Sequence, residues 1–391
     1  METCKTFQMP PTILYQQNSF AQIGEKAELL GKKALIISDQ IMQKLDYVDN
    51  CQQKLSDHSV KSVVFLGVAS EPNDQYVEGA LQLYQVEKCD LIISLGGGSC
   101  IDTAKAVAVV ATNGGNIEDY VGMKKIAQKA PVPHIAIPTT AGTGSEATDV
   151  TVITNSATKV KMMIKQPAFM PNVAIVDPLL TLSSPQKVTA ATGVDALSHA
   201  IEAYISKKSH PMTDMMALSA IKLISKNLHK AFTDGQNIEA REGMSLAALQ
   251  AGSAFSNASV CLIHGMSRPI GALFDVPHGF SNAMLLPAIL EYSKDSCIDR
   301  LADIGRIFSS EAEKLSDNDA AEVAVQSVKD LCKSLDIPNL EQWGIQREEF
   351  VSALSKMSTD AIDSGSPSNN PKTPSKEEIA ELYQICYEYQ F

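Results

Sequence analysis

An α/β domain built on a doubly wound parallel sheet, followed by an all-helical domain, is predicted for this 391-residue chain by three features. Short β-branched apolar runs alternate with helical patterns over roughly the first 180 residues. From Pro185 onward no strand pattern stands out, and Ala-, Leu-, Ile- and Met-rich helical spacing takes over. A glycine triplet, Gly96-Gly97-Gly98, stands where one of the apolar runs gives way to a helix. Strand–helix alternation with continuously apolar strands is the pattern of a parallel sheet covered on both faces.

The strands are expected at Lys33–Ser38, Ser62–Leu66, Asp90–Leu95, His134–Pro138 and Val173–Val176. Tyr76–Glu87 and Asp102–Ala111 carry apolar residues at helical spacing. Thr151–Thr154 and Lys159–Ile164, separated by Asn155-Ser156-Ala157-Thr158, form a hairpin pattern. The texture changes after Asp177-Pro178, so residues 1–180 are assigned to the α/β domain and 181–391 to the helical one. Ser184-Pro185 predicts a helix start, a cap oxygen followed by a proline whose missing N–H does no harm. Asp363 to Ser375 is a polar, turn-rich loop, and a last helix is expected from about Lys376.

Composition narrows the function classes. The formal net charge is -12 and 45% of residues are hydrophobic, which fits a globular chain and argues against nucleic acid or an anionic membrane as partner. The eight cysteines contain no C-x-x-C pair, so neither a zinc knot nor a thioredoxin motif is on offer. With no apolar leader in Met1–Pro10 and no apolar run of membrane-spanning length, the chain reads as cytoplasmic.

Gly96-Gly97-Gly98-Ser99 lies between a buried strand and a helix containing Asp102. Glycines there let backbone N–H groups turn around a phosphate beside the positive end of the helix dipole. A tight turn without ligand satisfies the same pattern, and the spacing is not G-x-G-x-x-G. A second loop, Pro138 to Ser145, follows the next strand and brings the hydroxyls of Thr139, Thr140 and Thr143. Two such loops at neighbouring strand ends favour a nucleotide. Asp39, just past the first strand, can accept hydrogen bonds from an adenosine ribose or cap the next helix.

Asp195 and His199 stand four apart in GVDALSHAIEAY and share one helix face. The pair is weak alone, since about one carboxylate–histidine pair at this spacing arises by chance. Asp195 can also close a capping box opened by Thr192, with Gly193 marking a helix break. His264 is read at the end of an apolar helix and His278 at the start of another, each beside glycine. One carboxylate and three imidazoles suit a borderline divalent ion such as Fe2+ or Zn2+ better than Ca2+ or Mg2+. His58, His134, His210 and His229 have no partner at useful spacing and are read as structural or solvent-facing.

GGGSCIDTAK, PTTAGTGSE, GVDALSHAIEAY and FSNASVCLIHGMSRPIGALFDVPHG closely resemble the iron-containing (group III) alcohol dehydrogenase family, and similarity continues through KMMI, PNVAIVDP, NAMLLP and NNPK. The resemblance implies an N-terminal Rossmann-like dinucleotide-binding domain, a C-terminal all-helical metal-binding domain and an active site in the cleft between them. It implies that Asp195, His199, His264 and His278 hold the metal, iron or alternatively zinc. NAD would lie on Gly96 to Ser99, Asp102, Thr139, Thr140 and Thr143, with Asp39 at the ribose and Lys161 nearby. Phe255 and Arg268 are the substrate-side candidates. The implied activity is reversible NAD-dependent oxidation of a small primary alcohol or diol to its aldehyde, in a homodimer or larger assembly. The alternatives are a lyase of the dehydroquinate-synthase type and a reductase of an anionic aldehyde. Several family members carry a histidine where this chain has Arg268, which stays charged and cannot serve as a base near neutral pH. Arg268 can instead contact cofactor phosphate or a carboxylate such as Asp275, or read an anionic substrate.

Overall fold

A computed structural model describes residues 4–391 and divides them into two compact units, residues 8–184 and residues 185–391, the latter joined by residues 4–7. The first unit carries strands β1 (Thr12–Tyr15), β2 (Lys33–Ile37), β3 (Lys61–Phe65), β4 (Leu91–Gly96), β5 (His134–Pro138), β6 (Val150–Asn155), β7 (Val160–Lys165) and β8 (Val173–Val176). Its helices are α1 (Ile23–Glu28), α2 (Gln40–Lys44), α3 (Tyr47–Asp57), α4 (Asp74–Val86) and α5 (Gly98–Asn113). Six strands form one all-parallel sheet in the order β1-β8-β5-β4-β2-β3, and β6 and β7 form the expected antiparallel hairpin.

Alternate residues of the central strands feed two cores, which is why these strands are apolar on both faces. Ala34, Ile36, Leu91, Ile93, Ile135 and Ile137 pack on one side, and Leu35, Ile37 and Ile92 join Ala104, Val107 and Ile153 on the other. The chain runs outward from β2 to β3, then returns to the other side of β2 as β4. Strand order therefore reverses between β2 and β4, and open α/β sheets bind ligands at the carboxyl ends beside such a point. Asp39 follows β2 and Gly97 to Ser99 follow β4, so both lie there.

The second unit is helical: α6 (Gln186–Ile205), α7 (Pro211–Thr233), α8 (Ile238–Ala258), α9 (Leu262–Phe274), α10 (His278–Ser293), α11 (Ile298–Phe308), α12 (Asp317–Ser334), α13 (Leu340–Trp343), α14 (Arg347–Asp363) and α15 (Lys376–Tyr387). Among the described residues no single helix is long and apolar enough to cross a membrane.

Three local expectations are corrected. Pro185 occupies the cap position of α6, and the Ser184 hydroxyl donates to the Thr139 carbonyl instead of capping. Gly193 breaks nothing: α6 runs through it, Thr192 Oγ1 donates back to Val188 O, and a Cβ on Gly193 would sit 2.2 Å from Leu228 Cδ1 of α7. The glycine serves close helix packing. The apolar stretch before His264 is also not one helix. The chain turns by 104° between α8 and α9, with Ser259 at φ 68°, so His264 opens a helix rather than closing one.

Candidate functional site

The phosphate-binding candidates are built by two interlocking loops of the α/β unit. Gly96 and Pro138 are register partners, and Thr139 N–H donates to Gly96 O at 3.0 Å, which holds the loops side by side. A Cβ on Gly98 would lie 2.7 Å from Thr143 Cγ2 and 2.9 Å from its Oγ1, closer than side-chain carbons approach. One on Gly97 would meet Thr140 Oγ1 at an ordinary 3.6 Å. Gly97 caps α5 with no side chain of its own, leaving the first amides of the helix for an anion.

Asp39 and Asp102 occupy different positions in the hydrogen-bond network. Asp39 Oδ1 accepts from Ile41 N and Met42 N at 2.7 and 2.9 Å, so it does cap α2. Its Oδ2 lies 3.7 Å from Cys100 Sγ, toward the glycine loop, and takes no part in the cap. Asp102 is committed internally: it accepts from Ser145 Oγ and, at 2.8 Å, from Val152 N, and stands 3.9 Å from the buried Lys105 ammonium. Burial raises its pKa against the pull of Lys105. Lys105 in turn donates to Ser145 Oγ, Thr148 Oγ1 and Val150 O, so this pair braces the threonine loop from beneath. Lys161 pairs with Glu71 at 3.1 Å.

In the helical unit, Asp195, His199, His264 and His278 converge, with one donor atom from each within 4.8 Å of all the others. Asp195 Oδ1 is 3.6 Å from His264 Nε2 and 3.9 Å from both His199 Nδ1 and His278 Nε2. Tetrahedral bonds of about 2.1 Å separate their donors by about 3.4 Å, so the set closes on a metal with small adjustments. Asp195, His199 and His264 are buried, whereas the His278 side chain is 27% exposed. Although burial alone would raise it, the three imidazoles hold the Asp195 carboxyl well below the usual carboxylate range. Phe255 stacks on His199 with ring centroids 4.2 Å apart, fixing the plane of that imidazole. Asn282, one turn after His278 and fully buried, places Nδ2 at 2.6 Å from Asp195 Oδ1, 3.0 Å from His264 Nε2 and 3.2 Å from His278 Nε2, so its amide nitrogen faces the ligand cluster. A buried carboxylate ringed by three imidazoles is a donor set that fits a divalent ion.

Two residues escaped the sequence reading. Glu202 follows Asp195 by seven positions, on the stripe that carries His199, and its carboxylate touches His264 Nδ1 at 2.5 Å. The signal was a charged residue inside the apolar run AIEAY. Asn282 follows His278 by four, the spacing that had linked Asp195 to His199. Arg268 sits one turn beyond His264, is buried, and donates from Nη1 to Ser366 Oγ at 3.0 Å. Burial lowers its pKa to about 10, and the Glu202 charge opposes that shift.

Fold and site thus define a two-unit protein with an open parallel α/β sheet and a buried Asp/His cluster that can hold a divalent metal. Residues 10–178 match the model of the family described as iron-containing alcohol dehydrogenase, and residues 189–387 match its C-terminal counterpart. The chain is 38% identical over 383 residues to a 1,3-propanediol dehydrogenase of Citrobacter freundii, covering 97% of this chain and 98% of that one. It is 36% identical over 378 residues to an NAD-dependent methanol dehydrogenase of Bacillus methanolicus, covering 96% and 98%. A solved 1,3-propanediol oxidoreductase superposes with a TM-score of 0.94 at 37% identity, covering 98% of this chain and all of that one. The chain belongs to the iron-containing alcohol dehydrogenase family and is an alcohol or diol oxidoreductase.

Proposed function

We propose that the chain interconverts a small primary alcohol or diol and its aldehyde with NAD, using Fe2+ held by Asp195, His199, His264 and His278. The convergence of those four side chains carries the proposal. Relatives named for 1,3-propanediol and methanol support the substrate class, and the name of the methanol enzyme supports NAD. The ion would supply Lewis acidity toward the substrate oxygen. Asp195 contributes the only negative charge among the four ligands. His278, the most exposed ligand, marks the open side of the site. In the α/β unit the amides of Gly98 and Ser99 at the start of α5 would receive the pyrophosphate, and Asp39 Oδ2 a ribose hydroxyl. The eight cysteines are free and seven are buried, which supports a cytoplasmic setting. The family resemblance supports a homodimer or larger assembly.

The test is spectrophotometric. Fe2+-loaded protein with NAD is offered methanol, 1-butanol and 1,3-propanediol while absorbance at 340 nm is followed. NADH should accumulate with at least one of them. Product formation from a lyase substrate without net NADH would favour the dehydroquinate-synthase alternative, and an inert but metal-binding protein would remove the enzymatic proposal for this substrate class.

A further inference from the structure

Helix α9 begins without a side-chain cap of its own, although its first amides are buried. Their partner comes from α6. Glu202 Oε1 accepts from Ile263 N at 2.6 Å and lies 3.4 Å from His264 N. The other carboxylate oxygen, Oε2, is 2.5 Å from His264 Nδ1. Glu202 is fully buried, and the guanidinium of Arg268, one turn beyond His264, interacts with its charge. A carboxylate in the core is costly unless its lone pairs are used, and here each oxygen has an assigned donor. Because a carboxylate only accepts, the ring proton of His264 must sit on Nδ1. That leaves the Nε2 lone pair on the side of Asp195, 3.6 Å from its Oδ1.

We propose that Glu202 is a positioning residue for the metal centre: it caps α9 with one oxygen and sets the tautomer and ring direction of His264 with the other. The proposal rests on the assignment of His264 as a metal ligand. One helix then supplies two ligands, Asp195 and His199, and also orients a third that belongs to a different helix. Asp195, His199 and Glu202 sit at i, i+4 and i+7, so a single stripe of α6 organises most of the site.

Glu202→Gln separates the two duties. The Gln oxygen must stay with the Ile263 N–H, because the reverse orientation would set two donors against each other. Its NH2 then faces Nδ1, which must accept, and the ring proton moves to Nε2, where it blocks the donor atom. Zn2+ affinity of the metal-stripped protein is measured by competition with a chromophoric chelator, beside the thermal midpoint of the stripped protein, for wild type, Glu202→Gln, Glu202→Ala and His264→Ala. Glu202→Gln should bind Zn2+ about 10–100-fold more weakly than wild type while losing clearly less of the metal-free midpoint than Glu202→Ala, because it keeps the cap on Ile263 N and gives up only the charge facing Arg268. Glu202→Ala should lose both affinity and midpoint. The Co2+ absorption spectrum of Glu202→Gln should differ from wild type, as the ligand field loses or reorients one imidazole. Wild-type Zn2+ affinity in Glu202→Gln, with affinity lost in His264→Ala, would overturn the proposal and leave Glu202 a helix cap. Equal loss of midpoint in the Gln and Ala variants would also overturn it, assigning Glu202 to folding. Wild-type affinity in His264→Ala would instead refute the metal-site assignment itself.

Discussion

Gly98→Ala introduces a methyl group 2.7 Å from Thr143 Cγ2, 2.9 Å from Oγ1 and 3.2 Å from Cβ. Carbon pairs prefer about 3.5–4.0 Å, so one methyl must displace a whole side chain. Thr143 is β-branched and stiff at χ1, and its Oγ1 also accepts from Ser145 N at 3.3 Å, so it has little room to rotate. Overpacking of this kind costs about 1–3 kcal/mol. The lower chain entropy of alanine in the unfolded state returns about 0.4–1 kcal/mol. The expected net loss is about 1–2 kcal/mol, or about 2–8 °C in the thermal midpoint of a unit of this size. The adjacent Gly97→Ala meets nothing closer than 3.6 Å, so only its weaker capping preference counts, at most about 1 kcal/mol. Urea unfolding without cofactor, together with calorimetric NAD titration, follows both variants. Thr143→Ala removes the two atoms that clash most, so Gly98→Ala/Thr143→Ala should recover about 1–2 kcal/mol relative to the sum of the single effects. NAD affinity should fall in Gly98→Ala through displacement of Thr143. Additive single effects, or a Gly98→Ala protein as stable as wild type, would refute the interlocking of the two loops.

His134 titrates far below its ordinary value of 6.5, at about 3, because burial in β5, and secondarily the nearby Lys105 charge, keep it neutral. Its stabilising contribution is therefore complete above pH 6.5 and is lost as pH falls from 6.5 toward 3, about 2 kcal/mol of it between pH 7 and pH 5. His134→Gln should lose that part of the acid sensitivity in urea unfolding at the two pH values, and an unchanged pH dependence would contradict the assignment. Arg268→Ala should lower the thermal midpoint, because it removes a buried cation near the Glu202 carboxylate. It should leave the kcat/KM ratio of 4-hydroxybutyrate to 1-butanol unchanged, whereas a large fall in that ratio would reassign Arg268 to an anionic substrate.

Much of the architecture was legible because burial on two faces leaves a plain trace. The runs at Lys33, Asp90 and His134 are β2, β4 and β5 within a residue or so of either end. Thr12–Tyr15 was not legible: β1 is four residues long and half-exposed at the sheet edge, so no continuous apolar run marks it. The break between α8 and α9 was hidden because the residues across it, VCLI, are buried and apolar like the helices on both sides. Spacing joined Asp195 to His199 but was silent on Glu202, whose partner lies 62 residues away on another helix. Asp102 shows the converse limit. Its place beside the glycine loop is visible in the sequence, but its commitment to Ser145 and Val152 depends on a fold that returns the chain 43 and 50 residues later.

Metal dependence tests the central claim most directly. Protein stripped by chelation is titrated anaerobically with Fe2+ in the presence of NAD and 1,3-propanediol, and the rate at 340 nm is plotted against equivalents of iron per chain. The expected curve rises from zero and saturates at one equivalent in wild type, with no rise in His264→Ala. Full activity in the stripped protein, or a wild-type curve from His264→Ala, would contradict the assignment of Asp195, His199, His264 and His278 as the metal centre.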